Sequence, residues 1–403
     1  MKETVKLGSV LSDIAMGPFG SNLKVENFQE HGVPVIRGKN LSGFYVSDEN
    51  LVFVSPEKAA ELSRSLARPG EIVVTHRGTL GQVSLIPANG KYPAYLVSQS
   101  QMRLAVDPRL ADARFITYWM RSRLGQLTLS AFATQTGVPA IAQPTTSLSA
   151  YPISLPSLSS QSAIASVLGS LDDKIAANIE AVRTIDCLRN TLWHRNLEDG
   201  TTAAPLSSLA SFVNGGAFTK EATGTGRVVV RIAEMNSGIG NNTVRNELNV
   251  PETQVVRPGE LLFSWSGTLM TKRWPYDEAI VNQHIFKVIP DHGFPLAFLD
   301  SAIEQQLHFF RMIAAGKATT MGHIKRSDLD AKVQIPVQFR QEDLRLAESL
   351  WANASALEKE NIALAKTRDE LLPLLMNGKI SVREAEQEAT SAGADIPSEE
   401  IEA

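Results

Sequence analysis

The sequence predicts an α+β fold: two duplicated mixed α/β modules separated by two long helices that pair as an antiparallel coiled coil. Three observations predict it. One segment occurs twice, apolar runs of strand length are bounded by turn residues, and two stretches of about forty residues carry apolar positions at helical spacing.

Taken in order, the first module covers residues 1–157 and the second 201–337. The first opens with Leu7-Gly8-Ser9-Val10 and the second with Leu206-Ser207-Ser208-Leu209. Val35-Ile36-Arg37 finds a loose match in Val230-Arg231-Ile232. The anchor of the repeat is Arg68-Pro69-Gly70-Glu71-Ile72-Val73-Val74-Thr75-His76-Arg77-Gly78-Thr79-Leu80. It recurs as Arg257-Pro258-Gly259-Glu260-Leu261-Leu262-Phe263-Ser264-Trp265-Ser266-Gly267-Thr268-Leu269, at an offset of 189. In both copies an apolar run follows a Pro-Gly turn and stops at a Gly-Thr turn, the punctuation of a short buried strand. Phe115-Ile116-Thr117-Tyr118-Trp119-Met120 and Phe298-Leu299-Asp300-Ser301-Ala302-Ile303 suit helices instead. Each module leaves by a similar exit, Tyr151-Pro152-Ile153-Ser154-Leu155-Pro156 and Lys332-Val333-Gln334-Ile335-Pro336.

Spacer segments 158–200 and 338–380 follow the modules, with helices expected over Leu158–Leu197 and Gln338–Met376. Leu171, Ile175, Asn178, Val182 and Ile185 are spaced 4-3-4-3, as are Leu350, Ala354, Leu357, Asn361 and Leu364. A helix of ~40 residues extends ~60 Å and needs a partner for its apolar stripe. The other copy supplies one, and an antiparallel pair places a module at each end of a rod. Asn178 and Asn361 fall in the seams, where a polar residue fixes register. Residues 381–403 form an acidic tail with no assigned function.

Composition excludes several classes. With 403 residues, 43% apolar and 20% charged, the chain reads as a soluble protein of two to three domains. The net charge of −4 is uneven: residues 1–150 carry +4 and 201–340 carry +2, which permits phosphate contacts. The single cysteine, Cys187, excludes a disulfide framework and a cysteine-based zinc site. Neither a secretion signal nor an uncharged run of ~20 residues is found, so the expected location is cytoplasmic, without membrane contact. No phosphate loop, no Asn-Pro-Pro-aromatic or Asp-Pro-Pro-Tyr sequence and no metal-ligand spacing among the seven histidines occurs. The chain is therefore read as having no catalytic centre, no metal and no cofactor of its own. Asp172-Asp173-Lys174, which looks like the end of a nuclease motif, lies inside a helix and is read as solvated charge.

The order module, long helix, module, long helix, with RPGEIVVTHRGTLG and the helix signature LDDKIAANIE, resembles the specificity subunits of type I restriction-modification systems over residues 1 to about 380. The resemblance implies that each module is a target-recognition domain reading one half of a split, asymmetric site in double-stranded DNA. It implies that the helices set the gap and dock two methyltransferase subunits, to which motor-nuclease subunits are added. S-adenosylmethionine, ATP and Mg are then expected on those partners.

Candidate DNA contacts lie at expected strand ends and loops. They are Arg37, Lys39, Arg77, Thr79, Gln135 and Thr136 in the first module, and Arg231, Thr268, Lys317, Thr319, Thr320, Lys325 and Arg326 in the second. Arg and Lys reach guanine O6/N7, Gln reaches adenine N6/N7, and all of them, with Thr, can contact phosphates. At the loop the copies diverge, Arg77 against Ser266 and Gly81 against Met270. Trp119, Trp193, Trp265, Trp274 and Trp351 read as core or interface, with Trp193 and Trp351 placed to anchor partner subunits. The competing reading is a duplicated coiled-coil adaptor that binds proteins without touching DNA.

Overall fold

The structure, a computed structural model, describes residues 3–134, 137–240, 242–291, 293–316 and 322–396. The chain packs as two compact units, one from the residues up to Lys174 with those from Leu364 onward, the other from Ile175–Ala363.

The first unit carries strands β1 (Glu3–Lys6), β2 (Leu11–Met16), β3 (Val33–Ile36), β4 (Val52–Val54), β5 (Leu66–Ala67), β6 (Ile72–Thr75), β7 (Val83–Leu85), β8 (Tyr95–Val97), β9 (Gln101–Val106) and β10 (Pro152–Leu155). Its helices are α1 (Pro56–Glu61), α2 (Ala113–Arg121), α3 (Arg123–Ala131) and α4 (Pro144–Ser149). The strands β1 and β10 pair antiparallel, from Glu3 with Leu155 to Lys6 with Pro152, and close the module on itself. Between them lie two four-stranded sheets, ordered β2-β9-β6-β7 and β4-β3-β8-β5. The first is antiparallel throughout; in the second, β3 and β8 run parallel.

The repeated segment explains the centre of this arrangement. Gly70, at φ +86°, makes the turn that delivers the chain into β6, all four residues of which are buried. Asp112 then caps α2 by accepting from the Arg114 amide at 2.8 Å, and α2 buries Phe115, Ile116, Tyr118 and Met120. Ser122 ends α2 and caps α3, accepting from the Gly125 amide at 3.1 Å.

The second unit repeats the plan with β11 (Thr201–Pro205), β12 (Ala210–Asn214), β13 (Arg227–Val230), β14 (Arg245–Asn246), β15 (Val255–Val256), β16 (Leu261–Ser264), β17 (Met270–Arg273), β18 (Ala279–Val281), β19 (Ile285–Pro290) and β20 (Lys332–Pro336). Its pairings are β11-β20, β12-β19-β16-β17 and β14-β13-β18-β15, the same order element for element. A short α6 (Ile232–Ser237) follows β13, and one helix, α7 (Leu296–Gly316), stands where the first unit has α2 and α3.

Two of the sequence matches shift by one residue. Ile36-Arg37 corresponds to Val230-Arg231, since both arginines directly follow the equivalent strands β3 and β13. In the hairpin loop Gln82, not Gly81, stands opposite Met270, because the loop between β16 and β17 is one residue shorter. A one-residue slip changes which face a side chain takes, so the strand pairing decides the match.

The long helices are α5 (Leu158–Glu198) and α8 (Gln341–Asn377), followed by α9 (Val382–Ser391). In the first unit Asp172 of α5 meets Arg368 of α8; in the second, Asn178 meets Glu360 and Asn361, and Arg195 pairs with Asp343. Numbers rise along one helix as they fall along the other, so the pairing is antiparallel. The Asn178 amide donates to Glu360 Oε2 at 2.6 Å and to Asn361 Oδ1 at 3.0 Å, which brings together the two seam asparagines. α8 starts at Gln341 because Phe339 leaves the helix to stack on Phe298 at 5.3 Å. Asp172 corrects the reading of solvated charge: it is 5% exposed. Ser381 and Glu384 form a capping box that starts α9, whose Ala385 and Ala389 are buried.

Candidate nucleic-acid interface

Strand direction gathers the loops of each module. In the sheet β2-β9-β6-β7, β2 ends, β9 begins, β6 ends and β7 begins at the same edge, because neighbours are antiparallel. The segments 17–22, 98–100 and 76–82 therefore share one end of the sheet, where β3 also delivers the turn Gly38–Asn40 beside β8.

Hydrogen bonds hold these loops in place. His76 donates its backbone N–H to Ser100 O at 2.9 Å and accepts from the Ile141 amide at 2.8 Å, and its Nε2 lies 3.2 Å from Gln99 O. Burial, the largest influence, holds the His76 pKa below the ordinary histidine value, with the Arg77 charge acting the same way. Gly78, at φ +92°, donates to Pro139 O at 2.8 Å, and Arg77 bridges to Ala140. Thr75, Gln82 and Gln101 form a chain that reaches Gly38: Thr75 Oγ1 to Gln82 Oε1 is 2.9 Å, Gln101 Nε2 to Thr75 Oγ1 is 3.1 Å, and Gln82 Nε2 donates to Gly38 O at 2.8 Å. A cleft of about 350 Å³ between Leu41-Ser42 and Leu80-Gly81-Gln82 has Arg121 and Gln126 on its wall.

The sequence candidates separate on this frame. Arg77, Thr79 and Lys39 are exposed at the loop end, and among the described residues Arg77 and Lys39 form no ion pair. Arg37 is a brace: its guanidinium donates to Asn50 O at 2.9 Å and lies over the Phe28 ring. Gln135 and Thr136 lie outside the described residues, although the flanking Ala133 and Ile141 form a bridge in the same cluster.

The second module has an equivalent clamp. Gly267, at φ +65°, donates to Gly322 O at 2.9 Å, Ile324 donates to Trp265 O at 3.1 Å, and Ser266 bridges to His323. Trp265 Nε1 donates to Asn214 Oδ1 at 3.0 Å, tying the loop to the end of β12. Thr268, Lys325 and Arg326 are exposed here, and the Lys325 amide donates to Asp328 at 2.7 Å to start a short turn of helix. Arg231 is a brace like Arg37, held by Glu234 at 2.6 Å and by Asn242 O at 2.8 Å. Lys317, Thr319 and Thr320 lie outside the described residues. Among the described residues no three His, Cys, Asp or Glu side chains converge on a metal-sized site, and no helix is long and apolar enough to cross a membrane.

Residues 3–182 match the family model described as the type I restriction modification DNA specificity domain. Over these residues the chain is similar to that family. The S subunit of a type I restriction-modification system from M. genitalium, a solved structure, is similar at 16% identity over 93% of this chain and 96% of its own, with a TM-score of 0.52. At that identity the likeness shows the fold. The HsdS subunit from Thermoanaerobacter tengcongensis is 15% identical over 97% of this chain and 96% of its own, with a TM-score of 0.32. A comparison with curated proteins gives no match. By strand order the second module repeats the specificity domain, so the chain carries this fold twice.

Several polar residues at the loop end of the first specificity domain escaped the sequence reading. Gln82, Gln99 and Gln101 come from three different loop or strand ends, and nothing in their spacing announces that they meet. The two tryptophans expected to anchor partners are spent on intramolecular packing. Trp193 is 2% exposed among Phe294, Phe298 and Phe339. Trp351, 7% exposed, donates to Gly259 O at 2.9 Å and lies under the guanidinium of Arg273 at 4.6 Å. Neither ring presents a face to a partner, so an anchoring role meets a packing obstacle.

Proposed function

We propose that the chain is the DNA-sequence-specificity subunit of a type I restriction-modification complex. Each module reads one half of a bipartite, asymmetric site with the loop end of its sheets. The paired helices set the interval between half-sites and dock two methyltransferase subunits, to which motor-nuclease subunits add. The observation that carries this reading is the duplicated loop end itself: the same sheet order twice, each time with clamped loops and cations free of carboxylate partners among the described residues. Fixed loops suit base readout, since a side chain held in place loses little entropy on contact.

Arg77 and Lys39 in one module and Lys325 and Arg326 in the other supply the phosphate or guanine contacts, with Thr79 and Thr268 beside them. Gln135, Thr136, Lys317, Thr319 and Thr320 complete the proposed contact set from the sequence alone. The chain itself acts without catalysis; S-adenosylmethionine, ATP and Mg belong to the partner subunits, and the assembled complex works in the cytoplasm, where it meets chromosomal DNA.

Methylome sequencing of the host with and without this gene tests the reading. Loss of adenine methylation at one split motif on deletion is the expected result and gives the site. An unchanged methylome together with co-purification of proteins other than methyltransferases establishes the adaptor instead.

A further inference from the structure

Phe19 is 77% exposed, yet its loop is held on both sides. Gly17 donates to Gln101 O at 2.8 Å and sits where a Cβ would lie 1.9 Å from Ser98 O, so the chain leaves β2 pressed against the 98–101 turn. Asn22 donates back to Phe19 O at 2.8 Å, and Leu23 is buried with Val35, Val54 and Leu96. The ring is thus carried on an anchored turn, not on a free end. Displaying it leaves a large apolar surface in water, against the hydrophobic effect.

The second module shows that this display is no requirement of the fold. Its equivalent glycine, Gly215, makes the same close approach, with a Cβ position 2.1 Å from Val281 O. The phenylalanine that follows it, Phe218, packs inward on Val229, Val255 and Ile280. One copy buries its aromatic and the other presents it.

What surrounds Phe19 decides the kind of ligand. A Cβ on the adjacent Gly20 would lie 2.6 Å from Gln99 Oε1, and the Gln99 carbonyl is 3.2 Å from His76 Nε2, one residue from the exposed Arg77. The ring's turn therefore stands at the loop end of the sheet, beside Gln99 and on the same edge as the exposed Arg77. An exposed aromatic ring carried at the same edge as a cationic side chain suits insertion at a base step.

We infer that Phe19 is a DNA-contacting wedge, inserting its ring at a base step of the half-site read by the first module. This inference rests on the specificity-subunit reading and adds to it a contact that senses how easily a step unstacks. A step that opens at low cost, pyrimidine followed by purine, is favoured at that position even where no hydrogen bond reads it.

The test uses the full chain assembled with its methyltransferase subunits and a duplex carrying the split motif found by methylome sequencing, with 2-aminopurine placed in turn at each step of the first half-site. Wild type is expected to brighten one position on binding. Phe19→Ala is expected to lose that signal and to bind about tenfold or more weakly, while Phe19→Leu keeps part of both, since an aliphatic wedge still separates bases. Val25→Ser, another change at an exposed apolar residue in the same segment, is expected to behave as wild type. If wild type binds the duplex with a methylation-dependent motif and Phe19→Ala binds equally well with the same fluorescence pattern, the wedge is overturned and the specificity reading stands. If Phe19→Ala instead loses the methyltransferase subunits before DNA is added, the ring is a protein contact and the wedge is likewise overturned. If wild type discriminates no duplex at all, both fall.

Discussion

Asp172 on α5 and Arg368 on α8 meet at 2.5 Å, with the Tyr118 hydroxyl of α2 donating to the other carboxylate oxygen at 2.5 Å. One carboxylate thereby joins both long helices to the first module. For Asp172, burial raises the pKa and outweighs Arg368; for Arg368, burial acts downward as the largest single influence, and Asp172 and Asp369 together, with their hydrogen bonds, outweigh it. Arg368 is charged, because a guanidinium keeps its proton under all folding conditions. Asp172→Asn leaves the half-buried Arg368 guanidinium with only the exposed Asp369 as its ion partner and is expected to lower stability by about 3 kcal/mol. Chemical denaturation checks this, and a double-mutant cycle with Arg368→Met should recover part of the loss. Additive effects would remove the pair from the account.

Trp193→Ala empties a site walled by Phe294, Phe298 and Phe339 and is expected to cost about 3–5 kcal/mol. Any loss of methyltransferase binding should then track unfolding. Trp193→Phe, which keeps most of the volume, should restore both together; a folded Trp193→Phe chain that still fails to bind its partners points to a direct contact.

Arg77→Ala and Arg231→Ala should part company although both delete an arginine of a specificity domain. Arg77 has no ion pair among the described residues, so its loss should leave the melting temperature near wild type and reduce the salt dependence of DNA affinity by about one phosphate. Arg231 is held by Glu234, which is 3% exposed. Its loss leaves that carboxylate buried and unpaired, and the melting temperature should fall. A titration of affinity against salt, run beside thermal melts, separates them.

Acidification should loosen the loop end of the first domain. Because burial lowers the folded-state pKa of His76, the unfolded chain binds its proton more readily. The stability this site contributes is therefore complete above an unfolded-state value of about 6.5 and is lost as pH falls from there through the folded pKa. Between pH 7.5 and 5.5 amide exchange at Gly78 and Ile141 should accelerate in wild type relative to His76→Gln. Parallel profiles for the two proteins would exclude His76 as the cause.

The duplication, the short strands around Ile72 and Leu261 and the two long helices were legible in the sequence because each depends on local periodicity and on turn residues such as Gly70. Asn178 and Asn361 stood out for the same reason, as polar residues in an apolar stripe, and they do meet across the seam. Arg37 and Arg231 looked like ligands because exposure and pairing are tertiary facts: nothing in the sequence near Arg37 indicates that the Asn50 carbonyl will take its guanidinium. Gln82, Gln99 and Phe19 were missed for the converse reason, since antiparallel pairing alone brings their loops to one end. Trp193 and Trp351 were read as core or interface because an apolar position on a helix looks the same whether its cover is the module or another chain.

The pairing of β1 with β10, and of β11 with β20, means that the chain enters and leaves each module through neighbouring strands, ~4.8 Å apart. Between those two strands, the cost of closing the loop grows only with the logarithm of its length. Insertions and deletions inside a module are therefore absorbed without moving its ends, as the drift between equivalent strands already shows: β2 and β12 start 199 residues apart, β10 and β20 only 180. A module built this way is a cassette, free to be replaced by one of another length while the helices on which it is mounted stay in register.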